Sequence, residues 1–460
     1  MKVKAYALIA SCAASFITPF FANALNLAVP QISETFSASA SAVSWSQNSF
    51  LLVSAAFLLP FGRVADIVGR KKLFAPGLLV FAVFSFLCAF AWSIEWLILF
   101  RGIQGVGAAM IFTTSVAILT SVFPPEERGK VLGINSSFTY LGLSLGPAVG
   151  GFMTHNFGWT SIFIFSGALS LAVFVLVLSK LKGEWVGAPG EPFDWRGSAF
   201  CVLGLAAFLY GLSTLDEHWL FGLIALGGLL LLLIFVRHET RARHPILPLH
   251  LLRGNRMFAY SSLVALLSYI ANFAPLFLIS LYLQSALRFD PQIAGLLLLI
   301  QPTLMVVLSP IAGRLSDRVS ASLVSLSGLI ICTISLLLFV FIGLETPVYL
   351  TAMNLALLGA GFGLFATPNS NALMGSVEKR FYGMASSSLA SMRLCGQSIS
   401  MALATLVLSR YAGSVPLPQA TPEQLSAGIR IAFAVFAAVC VLGVVSAIKR
   451  QRSARVHISA

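Results

Sequence analysis

Apolar runs of about 20 residues recur along the whole chain, separated by short polar stretches. A run of that length is what an α-helix needs to cross the hydrocarbon core of a bilayer. The pattern predicts fourteen membrane-spanning helices near 7–29, 46–64, 73–92, 96–122, 131–153, 160–180, 197–215, 218–236, 257–284, 291–312, 320–342, 347–372, 382–409 and 428–448. Two spans rather than one are expected over 197–236, because the short connection Leu215-Asp216-Glu217-His218 is polar. The first run follows Lys2 and Lys4 and ends near Ala22-Asn23-Ala24, which imitates a signal peptide. It is longer than the roughly 7–15 apolar residues of a secretory signal, so it is taken as the first helix.

The polar stretches alternate in charge. With the N-terminus placed in the cytoplasm, most of the 29 Lys and Arg fall on one side. They form clusters such as Arg63, Arg70, Lys71 and Lys72, or Arg237, Arg241, Arg243, Arg253 and Arg256. This is the positive-inside pattern, and it predicts an even number of spans with both termini in the cytoplasm. The 16 acidic residues all fall near helix ends or in loops, none at the middle of a predicted span. A weak repeat is also visible. Gly62-Arg63-Val64-Ala65-Asp66 follows the second span, and Gly313-Arg314-Leu315-Ser316-Asp317 follows the tenth. Two six-helix halves, 1–182 and 257–460, then flank a central segment 183–256 with two additional helices and a basic linker.

Composition narrows the class. The 460 residues are 58% hydrophobic and 10% charged, and the mean hydropathy is +0.91. Soluble domains carry roughly 25% charged residues, so this is an all-α membrane protein. The net charge of +13 sits in interhelical clusters and not on a basic face with interleaved aromatics, which argues against nucleic acid as a partner. The partners expected are membrane lipid and a small molecule, with the chain acting as a monomer in the inner membrane. The six cysteines lie singly in apolar runs, without metal or redox spacing. No nucleophile–base grouping, phosphate loop or metal cluster is apparent, so neither an enzyme nor a cofactor is expected. An ATP-driven pump would need a soluble nucleotide-binding domain, for which there is no room.

The loop Gly62-Arg63-Val64-Ala65-Asp66-Ile67-Val68-Gly69-Arg70-Lys71-Lys72 carries the strongest local signal. Its glycines permit a tight turn between antiparallel helices. Asp66 is its only acid, placed to cap a neighbouring helix N-terminus and to pair with a nearby Arg. Such a contact can form in one conformation and break in another. Gly142, Gly146 and Gly150 recur every four residues, which lets another helix approach closely, and Pro147 and Gly151 accompany them. This face is either static packing or a flexible seam between the halves.

The loop resembles the signature between helices two and three of the major facilitator superfamily. Arg101-Gly102-Ile103-Gln104-Gly105-Val106-Gly107-Ala108 resembles that superfamily's fourth-helix motif. Residues 142–151 resemble its fifth-helix antiporter motif, and Leu25-Asn26-Leu27-Ala28-Val29-Pro30-Gln31-Ile32 the end of helix one in its fourteen-span drug:proton antiporter family. The resemblance covers essentially the whole chain. It implies a secondary transporter that works by alternating access, exports amphipathic or drug-like molecules and is coupled to protons. Gly62, Arg63, Asp66, Gly69, Arg70 and Lys71 would form its conformational switch. One position departs: the relatives usually carry an acid five residues before the Asn matched by Asn26, where this chain has Phe21. With no carboxylate in mid-membrane, a facilitator or metabolite carrier without proton coupling stands as an alternative, and a transporter-like sensor as a third.

Charges inside spans mark pathways more often than surfaces. Arg101, with Gln104 on the same face, either lines a polar cavity or snorkels to the outer interface, and Arg393 with Gln397 is its counterpart on the thirteenth span. Asn26, Gln301 and Asn354 are further pathway candidates, each alternatively a satisfied helix–helix contact.

Overall fold

The computed structural model describes every residue except Met1, Ser39, 215–219, Arg243, 248–253, Asp290, 413–420 and 457–460. The side chains of Asn26 and Arg410 also lie outside the described ones, as do Asp216, Glu217 and His218 of the polar connection. In chain order the α-helices are α1 (Lys2–Phe36), α2 (Ala40–Val68), α3 (Arg70–Ala89), α4 (Ile94–Val122), α5 (Pro125–Phe157), α6 (Thr160–Lys180), α7 (Trp195–Ser213) and α8 (Leu220–Glu239). There follow α9 (Arg256–Asn272), α10 (Ala274–Leu281), α11 (Pro291–Leu298), α12 (Ile300–Arg318), α13 (Ala321–Phe339), α14 (Val348–Gly375), α15 (Tyr382–Ala412) and α16 (Pro422–Val456).

Among the described residues, thirteen helical segments are long and apolar enough to cross a membrane. The remaining predicted span, 131–153, lies in α5, which is less apolar because Gly, Ser, Thr and Asn replace aliphatic side chains along it. Its 33 residues, at about 1.5 Å rise each, still exceed the bilayer core. The ninth and tenth spans are interrupted. At Phe273 the ninth breaks before Pro275, which has no N–H for the helical ladder. The freed N–H of Ala274 donates instead to Ser400 Oγ at 3.0 Å.

The chain forms two compact units, Met1–Asn255 with Met374–Ser391, and Arg256–Leu373 with Met392–Ala460. In the first, α1 packs along α5, α4 along α2 and α3, and α7 along α8 and α2. Small residues make these approaches close. A methyl group on Gly107 would meet the Phe81 backbone nitrogen at 2.7 Å, and one on Gly211 the Ala225 nitrogen at 2.4 Å. In the second unit, α16 packs on α9 and α13.

Candidate functional site

The α2–α3 loop is a single-residue turn. Gly69 has φ +122°, a conformation that side chains with a Cβ rarely adopt. α3 starts at the next residue, and its free N–H groups are met by a carboxylate from the segment after α6. Glu184 accepts from the Lys71 N–H at 2.9 Å and the Lys72 N–H at 3.1 Å. The Arg70 N–H donates to the Trp185 carbonyl at 3.1 Å, and Lys71 Nζ donates to the Leu181 carbonyl.

Asp66, one turn before Gly69, has no solvent exposure. Its Oδ1 accepts from Arg70 Nη2 at 2.9 Å and from the Gly383 N–H at 2.8 Å, and its Oδ2 accepts from the Met384 N–H at 2.9 Å. Gly383 and Met384 open α15, so the carboxylate sits on a helix N-terminus, where the dipole and the unpaired amides favour an anion. The Asp66 carbonyl accepts from the Gly187 and Ala188 N–H groups at 2.9 and 2.8 Å. Arg70 also donates to the Lys379 carbonyl at 2.7 Å and to Ser121 Oγ. Arg70 and Arg128 each lie 5.3 Å from the Tyr382 ring centroid, and Arg128 donates to its hydroxyl at 2.9 Å.

Gly62 allows this approach. A Cβ there would fall 2.1 Å from Ser387 Oγ and 3.1 Å from the Gly383 carbonyl. The next residue, Arg63, is buried and paired with Glu191, whose carboxylate also takes His244 Nδ1 at 3.3 Å. The hydrogen bond from Arg63 holds the Glu191 carboxyl below the usual glutamate range. Arg314 in the repeated motif is exposed instead, and Asp317 accepts from Asn371 Nδ2 at 3.4 Å.

Arg101 is also buried. Its Nε donates to the Ser46 carbonyl at 2.9 Å and its Nη1 to Gln104 Oε1 at 2.6 Å, while Gln104 Nε2 donates to Ser85 Oγ. The guanidinium lies over two rings, Phe21 at 4.7 Å and Phe50 at 4.3 Å from the centroids. Arg101 with Gln104 thus ties α4 to α1, α2 and α3 from inside the unit, and Phe21, where the resemblance leads one to expect an acid, supplies a π face.

The glycine face of α5 packs on α1 of the same unit. Substituent methyls would meet the Phe16 carbonyl at 2.6 Å from Gly142, Asn23 Cβ at 2.7 Å from Gly146, and Ala24 Cβ at 2.4 Å from Gly150. Its close partner is therefore α1. Gly151 is half-buried, and α5 continues through an exposed Pro147.

In the second unit, Asn354 is clamped to Ser335 of α13, accepting at 2.7 Å and donating to its carbonyl at 3.1 Å. Gln301 is buried with its Oε1 unpartnered, under a close approach of Gly359. Arg393 hydrogen-bonds the Tyr269 hydroxyl, and Gln397 is half-buried one turn on. Asn354 and Arg393 thus serve different partners, Ser335 and Tyr269.

Sequence reading missed Arg450, which looks like one more basic residue in a tail. It has no solvent exposure and donates to Asn369 Oδ1 at 2.6 Å, Ser261 Oγ at 3.2 Å, the Ser322 carbonyl at 3.3 Å and Ser325 Oγ. It also missed Glu184 and Glu191, because loop acids carry no periodic signal.

Comparison with known proteins gives consistent results. The Major Facilitator Superfamily profile matches residues 11–236 and 261–459. The riboflavin transporter RibZ of Clostridioides difficile is 28% identical over 463 residues, covering 100% of both chains. The multidrug resistance protein Stp of Mycobacterium tuberculosis is 28% identical, covering 88% of this chain and 76% of its own. The multidrug transporter MdtP of Bacillus subtilis is 25% identical, covering 84% and 73%. Among solved structures, the proton:xylose symporter XylE aligns with a TM-score of 0.68 at 12% identity, covering 96% of this chain and 94% of its own. The human organic anion transporter MFSD10 aligns at 0.66 and 15%, covering 97% and 98%. These two likenesses are of fold.

Proposed function

Because the chain belongs to the Major Facilitator Superfamily, and so is a multi-pass membrane transporter, we propose that it exports small amphipathic molecules by alternating access. On this reading residues 1–182 and 257–460 are the two moving halves, 183–256 adds two helices between them, and both termini face the cytoplasm of a bacterial inner membrane. One observation carries it: the Asp66 carboxylate on the first turn of α15. A charge-assisted hydrogen bond is worth roughly 1.5–3 kcal/mol net. Three such bonds on one carboxylate, less its desolvation, make a contact strong enough to hold one state and small enough to break in each cycle. Gly62, Arg63, Gly69, Arg70 and Lys71 form the rest of this switch. The likeness to the riboflavin transporter RibZ and to the multidrug proteins Stp and MdtP supports a small-molecule, drug-like substrate class.

A second reading, a carrier not driven by protons, is favoured by Phe21. The guanidinium of Arg101 rests on its ring, so no titratable partner is supplied at that point. Flux of riboflavin and of cationic aromatic dyes in sealed proteoliposomes, with and without a pH gradient, tests both. Saturable flux lost in Asp66→Asn supports the exporter. Full flux in that variant removes Asp66 from the switch, and no flux of any probe sinks the substrate class.

A further inference from the structure

A group of titratable side chains stands apart from the α2–α15 contact, at the basic end of α8. Glu239, the last residue of α8, is 2% exposed. Its Oε2 accepts from the Leu247 N–H at 2.8 Å, and its Oε1 has no partner. Asp194, just before α7, accepts from the Gly197 N–H at 2.9 Å through Oδ1 and meets His238 Nε2 at 2.8 Å through Oδ2. The two carboxylates converge over Gly197: a Cβ there would lie 2.7 Å from Asp194 Oδ2 and 2.7 Å from Glu239 Oε1. Gly197 therefore leaves the room that both oxygens occupy, each within 2.7 Å of the point a Cβ would take.

A buried carboxylate oxygen with no donor is costly, and a second carboxylate beside it raises the cost. A proton removes both penalties. We propose that Glu239 and Asp194 form a proton-binding site, and that its occupancy sets how firmly the Arg63 end of the α2–α3 loop is held. The step is a simple binding. One proton from water adds to Glu239 Oε1, no other covalent bond changes, and the new O–H donates towards Asp194. Among the described residues no three His, Cys, Asp or Glu side chains are grouped as metal ligands would be.

The charged and titratable groups around Glu239 are Asp194 ahead of α7, His238 on its own helix, and Arg63 on α2 with Glu191 and His244. Arg63 Nε is itself buried and unpartnered. Protonated, Glu239 leaves Arg63 to Glu191. Ionised, it competes with Glu191 for Arg63 and is pushed from Asp194. The site thus gives the loop a response to pH at the basic end of the helices. That consequence rests on the reading of the loop as a switch, whereas the proton site itself does not.

Infrared difference spectroscopy on the purified full chain, titrated from about pH 5 to pH 9, tests the site without any transport assay. Expected is a protonated-carboxyl band that shifts on labelling with ¹³C-glutamate and is absent in Glu239→Gln. Glutamate labelling separates it from the buried Asp66, and it can be read in the unmutated chain even if Glu239→Gln folds poorly. No glutamate band in that range, or a band that persists in Glu239→Gln, overturns the site. Hydrogen exchange of the peptide over 184–194 tests the link. Its protection should change with pH, beyond intrinsic exchange chemistry, in the unmutated chain and not in Glu239→Gln. A pH-independent pattern overturns the coupling to Arg63.

Discussion

Asp66 shows how much one carboxylate settles. Its two oxygens face three donors, the Arg70 guanidinium and the amides of Gly383 and Met384. Asparagine has the same shape, but one oxygen becomes an NH₂ that opposes a donor whichever way the amide is turned. Asp66→Asn should therefore reach the membrane in normal amount and lose at least about tenfold in transport, the equivalent of about 1.4 kcal/mol in one step of the cycle. Immunoblotting beside a flux assay checks both halves of that statement. Glu191 gives a different test. Arg63 holds its carboxyl below the usual range, so the pair stabilises the fold above the unfolded pKa of about 4.3. That contribution is lost as pH falls through the lower folded value. The difference in thermal midpoint between the parent chain and Glu191→Gln should persist above the unfolded pKa and close only below about pH 4. It should be small, because Glu191 is partly exposed and solvent screens the pair.

The helices meet through small residues, and there the clashes can be named. A methyl at Gly62 would overlap Ser387 Oγ and Cβ, at 2.1 and 2.7 Å, while the Gly383 carbonyl stands at 3.1 Å. Gly62→Ala should impair transport strongly, and Gly62→Ala with Ser387→Gly should recover part of it, because the worst overlaps belong to that side chain. Measured flux no better in the double variant would mean that the backbone contact dominates. Most of the helices were legible in the sequence, since each predicted run overlaps an observed helical segment over most of its length, with ends that overshoot by up to three residues, as at 73–92 against Arg70–Ala89 and 320–342 against Ala321–Phe339. Membrane thickness imposes that length on the apolar pattern, and nothing in solution competes with it. Three things were not legible. The break at Phe273 is hinted at by Asn272 and Pro275, but the residue that receives its freed amide, Ser400, lies 126 positions further on. The partner of the Gly142–Gly150 face, α1, is a matter of tertiary packing that a small-residue stripe does not specify. The burial of Arg450 depends on Ser261, Ser322, Ser325 and Asn369, far away in sequence.

For the whole molecule the charge pattern predicts a topology. Reporter fusions after Lys130 and Arg256 should report the cytoplasm, and those after Glu34 and Asp216 the outside; one inverted neighbour would mean a miscounted span. The energy source is the larger question, and it turns on the inside of the first unit. Arg101 is compensated by two aromatic faces, a backbone carbonyl and Gln104. Glu95, on the same helix, hydrogen-bonds Ser93 at the exposed end of α4. Among the described residues no carboxylate pairs with this cation, so it has no partner there with which to exchange a proton. Arg101→Ala should abolish transport, because Ser46 and Gln104 lose their shared donor and two buried rings lose what fills the space between them. Phe21→Leu should be milder, since Phe50 and both hydrogen bonds remain. In proteoliposomes, substrate flux should depend only weakly on an imposed pH gradient. If flux instead follows the gradient steeply, and does so after Glu34 and Glu95 are neutralised, then the coupling group lies elsewhere in the chain. Asp66 and Glu239, the two carboxylates with 2% exposure or less among the described residues, would then be the first to replace.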